Sequence, residues 1–271
     1  MAACAGHTAS PSAAPAPASR PAAAAAAPAN TIRYAAGTGR YRFEQILHTH
    51  QDQMGQIIDV DLNTTMQITA ALTAAPDGGM DGMFTVDSVS MTGNQGTAAV
   101  LDALKGKTFH TVFNPQGKAI SFTAPDSSPA VMQTRDLFRE FVPVLPAGTL
   151  NDGMSWVDTL TQPPINAQGI NVRSQSIRTH RIVGWEQHDG QRAVHINTAS
   201  AITINGEGEA NGTPLTLSGT GTGITDRFVA ANGTYLGATS HDSTNISIAV
   251  VTAGVEIPIR QVRNTTVTRL P

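Results

Sequence analysis

Eight histidines and twenty carboxylates are the residues best able to do chemistry in this chain. His48-x-His50 sets two imidazoles on one face of an extended segment, because side chains alternate along a strand. Paired imidazoles are how many metal sites begin. His180, His188, His195 and His241 are scattered further along, no Asp/Glu/Cys group joins any of them at ligand spacing, and H-E-x-x-H is absent. Solvent-facing strand histidines are therefore expected, with no metal. Asp59 and Asp61 also share a face, but it is the polar face of a regular strand, so a solvated pair is expected and not an acid/base pair. No G-x-S-x-G nucleophile elbow occurs. Gly219-Thr220-Gly221-Thr222-Gly223 is glycine-rich, yet it reads as an alternating strand without the helix that a phosphate loop needs. The expectation is a non-enzymatic protein with no cofactor.

Composition narrows the class further. The 271 residues are 40% hydrophobic, 14% charged and 5% aromatic, with net charge −3. Lys and Arg number 17 and do not cluster, and stacking aromatics are few, which argues against a nucleic-acid partner. A single cysteine, Cys4, rules out a disulfide framework. No apolar run is long enough for a membrane-spanning helix. Three Tyr and two Trp are too few to build the two aromatic girdles of a transmembrane barrel.

Two regions follow. Residues 1–30 hold fifteen Ala and five Pro, and the prolines at 11, 15, 17, 21 and 28 break any helix the alanines favour. This part reads as a disordered linker. Residues 31–271 read as a β-rich domain. In 56–72, Ile58, Val60, Leu62, Met66, Ile68 and Leu72 occupy even positions, while Asp59, Asp61, Asn63, Thr65, Gln67 and Thr69 occupy odd ones. That is strict period 2 with one buried face. Fifteen such residues span about 50 Å, and a strand so long must twist and curl. Segments 40–50, 191–206 and 234–250 alternate likewise, the last after Asn232-Gly233, a hairpin signal. In 170–185 the apolar parity changes from Ile170 and Val172 to Ile177, Val183 and Trp185, which predicts a β-bulge near Ser174–Ser176. Shorter strands are expected at 83–91, 107–113, 117–123, 153–160, 213–222, 224–230 and 255–269. Five N-x-S/T sequons read as incidental Thr-rich strand sequence.

One helix stands out near 129–142. Ser128 suits its N-cap and Pro129 its first turn, and Val131, Phe138, Phe141, Val142 and Leu145 lie near one stripe. A weaker helical turn is expected within 97–104. About five strands precede the helix and about seven follow. Gly106-Lys107-Thr108…Phe113…Gly117…Ile120 and Gly221-Thr222-Gly223…Phe228…Gly233…Leu236 fit either a loose repeat or plain hairpin chemistry. The fold expected is mainly β: a long curled antiparallel sheet, a half-barrel of two loosely repeated halves, packed on one central helix.

Three resemblances bear on function. Met1-Ala2-Ala3-Cys4 resembles the end of a bacterial lipobox. It implies diacylglycerol attachment at Cys4, with Met1 at the usual Leu position and the basic and apolar signal regions encoded upstream. Two or three acyl chains anchor firmly where one does not. The turn Leu145-Pro146-x-Gly148-x4-Gly153-x-x-Trp156 resembles that of a group of uncharacterised bacterial secreted or lipoprotein-like domains, over most of residues 31–271. Trp156 there caps the core beside Phe138 or Phe141. The half-barrel over a helix is similar to periplasmic lipid-carrier lipoproteins, whose concave face holds acyl chains. By that likeness Ile58, Met66, Ile68, Met83, Phe84 and Met91 would line an apolar hollow, and methionine suits adaptable sites. The same residues also suit a filled core. Two functions are left open: an envelope protein on the periplasmic side, anchored in the outer membrane, that binds or carries a lipid or other hydrophobic ligand, or an anchored structural or protein-interaction domain with a filled core and no ligand. What decides between them is whether the helix seals the even face of 58–72 or leaves part of it open.

Overall fold

In a computed structural model the structure describes residues 30–53, 55–93, 102–167, 169–210, 212–250 and 252–271. Cys4, the linker before residue 30 and most of the turn within 97–104 lie outside these. Twelve strands form one antiparallel sheet. They are β1 (Gly37–Gln53), β2 (Gln56–Ala74), β3 (Met80–Gly93), β4 (Thr108–Phe113), β5 (Ala119–Thr123), β6 (Ser155–Thr161), β7 (Ile165–Ala167), β8 (Ile170–His188), β9 (Gln191–Ala210), β10 (Thr213–Ala230), β11 (Tyr235–Val250) and β12 (Val255–Leu270). One helix, α1 (Pro129–Arg139), follows β5. The order is β5-β4-β3-β2-β1-β12-β11-β10-β9-β8-β6, with β7 paired to β8 at the side. The sheet curls into a half-barrel, with five strands before the helix and seven after it.

Alternation explains these strands. Over much of β1, β2 and β10 one face is partly or fully buried and the other exposed, residue by residue, while in β11 and β12 both faces are partly buried over long stretches. Strands of 16 to 20 residues have ample length for twist to accumulate into curl. Glycines on the concave face of β10 tighten it: a Cβ on Gly221 would stand 2.5 Å from Thr244 Cγ2 and 2.7 Å from the Ser243 carbonyl oxygen on β11. Residues 213–222 and 224–230 form one strand and not two, because Gly223 continues the ladder unbroken.

The helix ends at Arg139, shorter than its apolar stripe suggested, with Glu140 at its C-cap. Ser128 is the N-cap, but its hydroxyl does not cap the helix. Its backbone N–H donates instead to Asp126 Oδ1 at 2.9 Å. Hydrogen bonds from Ser128 and from Lys107 pull the Asp126 carboxyl down to about 2. Beyond the helix Phe141, Val142 and Leu145 remain buried. They meet Tyr41, Phe84, Phe109, Phe113, Phe138 and Tyr235 in the core. Phe84 packs at 4.8 Å from Phe141 and 5.6 Å from Phe138, and Phe109 stacks on Phe138 at 4.2 Å. This aromatic plug fills one end of the half-barrel, where residues 30–36 also cross. Arg192 donates to Asn30 Oδ1, Tyr34 to the Pro143 carbonyl, and Ala35 N–H to Gly233 O.

The proposed internal repeat reduces to turn chemistry. The turns before Lys118 and Thr234 share one pattern: the N–H of Asn114 or Ala230 reaches four residues ahead, and the N–H of Gly117 or Gly233 reaches back three. The β2–β3 turn, from Ala75 to Gly79, has the same pair of bonds. Gly106 sits in a turn at φ 77°, whereas its supposed equivalents Gly221 and Gly223 lie within a strand.

Candidate functional site on the concave face

Residues directly paired across an antiparallel sheet share a face, so the register defines rungs running around the concave wall. The rung bordering the aromatic plug is apolar apart from Arg227: Ile182, Ile196, Arg227, Ala238, Val267, Phe43, Met66 and Val89. The next is polar: Trp156, His180, Thr198, Thr225, Ser240, Thr265, Gln45 and Thr64, closed by Met91. The third carries charge: Asp158, Arg178, Ser200, Gly223, Asp242 and Arg263, then Leu47 and Leu62. The next rung is mixed, with Leu160, Ile202 and Val60 among Ser176, Thr244, Gln261 and Thr49, and beyond it the wall turns mainly aliphatic, first with Ile204, Ile246, Ile259 and Ile58 beside Ser174 and Gln51. Leu217, Ile248 and Ile257 follow, and then Ile170, Leu215, Val250 and Val255. Nearly all of these outer side chains are partly exposed, although they point the same way as the sealed core.

The concave face is thus zoned along the strands: an aromatic plug, a polar belt, and an open aliphatic half. The face of 58–72 is sealed from Met66 to Ala70 and open from Ile58 to Thr64. Of the six expected lining residues, Ile58 and Met91 lie on the open wall. Met66 is 5% exposed at its boundary, and Ile68 and Phe84 are fully enclosed in the plug. Met83 does not line the hollow. It pairs with Ala71 and His110 on the convex face and is 45% exposed, because concave positions in β3 are Met80, Gly82, Phe84 and Val86.

The belt is an ionic network on the β6–β8 wall. Arg178 donates from Nε and Nη2 to the two oxygens of Asp158 at 2.7 and 2.8 Å, and from Nη1 to Glu140 Oε2 at 2.6 Å. It thereby ties the helix C-cap to the sheet. His180, 2% exposed, lies with Nδ1 2.9 Å from Thr198 Oγ1. Its Nε2 is 3.2 Å from Asp158 Oδ1, close enough for attraction but off the line of a good hydrogen bond. Trp156 packs against the core cluster that contains Phe138 and Phe141, and its ring stacks on His180 at 5.0 Å. Burial opposes ionisation of Asp158, but the facing imidazole and the Arg178 fork outweigh it and hold the carboxyl well below the usual carboxylate range. Across the hollow Arg263 donates from Nε and Nη2 to Asp242 Oδ2 at 3.1 and 3.0 Å.

A depressed folded-state pKa contributes stability that is present above the unfolded value, about 3.9, and is lost as pH falls through the folded one. Asp158→Asn is therefore expected to flatten the acid limb of the stability profile. Denaturant midpoints measured from pH 6 to pH 2 check this; parallel acid limbs in the two proteins would contradict it.

Apolar parity conceals the belt because the β8 bulge lies elsewhere than that parity predicts. It falls between Ile182 and Gly184, not near Ser174–Ser176. Ser174, Ser176, Arg178 and His180 consequently face inward, and Ile177 and Val183 face out at 52% and 48% exposure. His48 and His50 sit on the convex face 2.5 and 2.8 Å from Asp61 and Asp59, and His195 is 2.8 Å from Asp226. Among the described residues no group of three or more His, Cys, Asp or Glu could hold a metal, and no helix is long and apolar enough to cross a membrane.

Fold and wall together define a curled β half-barrel with an open aliphatic concavity. No protein-family model and no curated protein matches the chain. A crystal structure of a DUF1329 family protein from Desulfovibrio piger is a distant structural neighbour, at 7% identity over 86% of this chain and 84% of that one, with a TM-score of 0.21.

Proposed function

We propose that the protein binds a long-chain amphiphile along the open half of its concave face, in a binding or carrying role without catalysis. The observation behind this is the division of one continuous face: sealed by the aromatic plug as far as Met66, partly exposed and mainly aliphatic beyond the belt. A face that needed only to be core would be covered throughout, and large exposed apolar patches mark binding sites. From the charged rung to the rung of Val255 is four steps of two residues, about 26 Å. One leaflet of a bilayer's hydrocarbon core occupies roughly 15 Å, so an acyl chain fits with room to spare. The belt offers the polar end a site at the inner limit of that run.

Anchoring belongs to the same reading. With a lipid on Cys4, the domain would work beside the outer membrane on the periplasmic side. Incorporation of a palmitate analogue into the wild type but not into Cys4→Ala tests this part alone.

The binding claim is tested on delipidated protein with a fluorescent polyene fatty acid. Saturable binding is expected, weakened about tenfold or more by Ile248→Asp, since an ionised carboxylate beside the chain is strongly disfavoured. The unfolding transition should stay close to wild type. Absence of saturable binding, or equal binding by the variant, refutes the reading.

A further inference from the structure

A second recess lies outside the concavity, between the helix and the free edge of the sheet. It has a volume of 390 Å³, and its lining includes Ile120 and Phe122 of β5, Met132, Arg135 and Arg139 of α1, and Pro163. β5 is an end strand that pairs only with β4 among the described strands. Four consecutive β5 residues line the recess, so it runs along the strand edge and not against one face. Such an edge carries a row of unpaired N–H and C=O groups. Arg135 and Arg139, spaced i and i+4, present their guanidinium groups from one side of the helix.

The charges there do not balance. Arg135 is 6% exposed; its Nη2 donates to the Pro163 carbonyl at 2.7 Å, while its Nε is buried without a hydrogen bond, 3.6 Å from Asp136 Oδ1. Arg139 Nη1 reaches the same Asp136 oxygen at 3.4 Å. One carboxylate therefore serves two guanidinium groups, and the nearest other acid on the helix, Glu140, is taken by Arg178.

We propose that this recess takes an extended peptide with a free terminal carboxylate, added as a further strand on β5 with the carboxylate between Arg135 and Arg139. Main-chain donors and acceptors in a row can be used in full only by another backbone. Guanidinium forks match a carboxylate in both geometry and charge. The exposed Ile120, 60% accessible, would meet alternate apolar side chains of the incoming strand. The site stands apart from the concavity and does not depend on acyl-chain binding.

The test uses the full chain and two synthetic hexapeptide libraries of identical composition, one with free carboxyl ends and one amidated. Peptides selected from the first should bind and shift the backbone amide resonances of Ala119 to Phe122. Amidation of a selected peptide, or Arg139→Gln, should each weaken binding about tenfold, the loss expected for a charge-assisted hydrogen bond. Ile120→Pro, at the bulged residue of β5, should also abolish binding, with an unchanged unfolding transition showing that the β4–β5 ladder survives. The proposal is overturned if no peptide binds, if amidated peptides bind equally, or if the shifts map elsewhere.

Discussion

Replacing Arg178 with alanine is expected to cost about 3–5 kcal/mol of folding stability, because it strands two partly buried carboxylates that share one cation. Three hydrogen bonds are lost at once, two to Asp158 and one to Glu140. The side chain is only 13% exposed, so water cannot replace the guanidinium fully. The remedy should be as informative as the damage. Combining Arg178→Met with Asp158→Asn and Glu140→Gln removes every charge together and should recover most of the loss, the signature of a coupled network. Urea denaturation at neutral pH reads both. A single variant within about 1 kcal/mol of wild type would show the network to be slack.

A second large effect separates the two ends of the concave face. Phe84→Ala should cost about 3–5 kcal/mol, the range for a buried aromatic whose cavity cannot collapse. Its ring is fully enclosed and lies against Phe113, Phe138 and Phe141. Ile248→Ala on the open wall should cost about 1 kcal/mol or less, since its side chain is already partly in water. Both follow from denaturant midpoints on protein freed of lipid. Similar costs at the two positions would mean that the outer wall is packed core after all, and the amphiphile reading would lose its basis.

Much of this architecture can be read in the residues, and the failures have a common cause. Period 2 in 56–72 identifies β2 and its inward face, because polar and apolar residues alternate from Ile58 through Val60 and Leu62, with Ile57 the one large apolar residue that faces out there. The same rule misleads in β8. There the inward residues are Ser174, Ser176, Arg178 and His180, and the outward ones include Ile177 and Val183. Apolar periodicity assumes that the inside is greasy. Where inward polar groups satisfy one another through partners on β6, on β9 and at the helix cap, that assumption reverses the parity. Arg178 meets Asp158 and Glu140 only through tertiary folding, so no local spacing could announce the belt. Met83 faces outward for a simpler reason. Methionine is at home both in a core and on a surface, and Phe84, its neighbour, takes the inward position.

The strand order has a kinetic consequence. β1 and β12 are neighbours at the centre of the sheet, with Arg40 opposite Leu270 and Gln51 opposite Ile259. β1 to β5 can form a meander as soon as they leave the ribosome, and β6 to β12 can form another, each from hairpins of short reach. The seam between them closes only when the last strand arrives, and joining ends so far apart in sequence is entropically slow. Until then one side of β1, a 17-residue strand, stands as an unpaired edge next to half of the apolar wall. Such an edge pairs readily with another chain. Refolding is accordingly expected to show an early phase from the two separate sheets and a late one from their union. The late phase should be the one that loses yield as protein concentration rises.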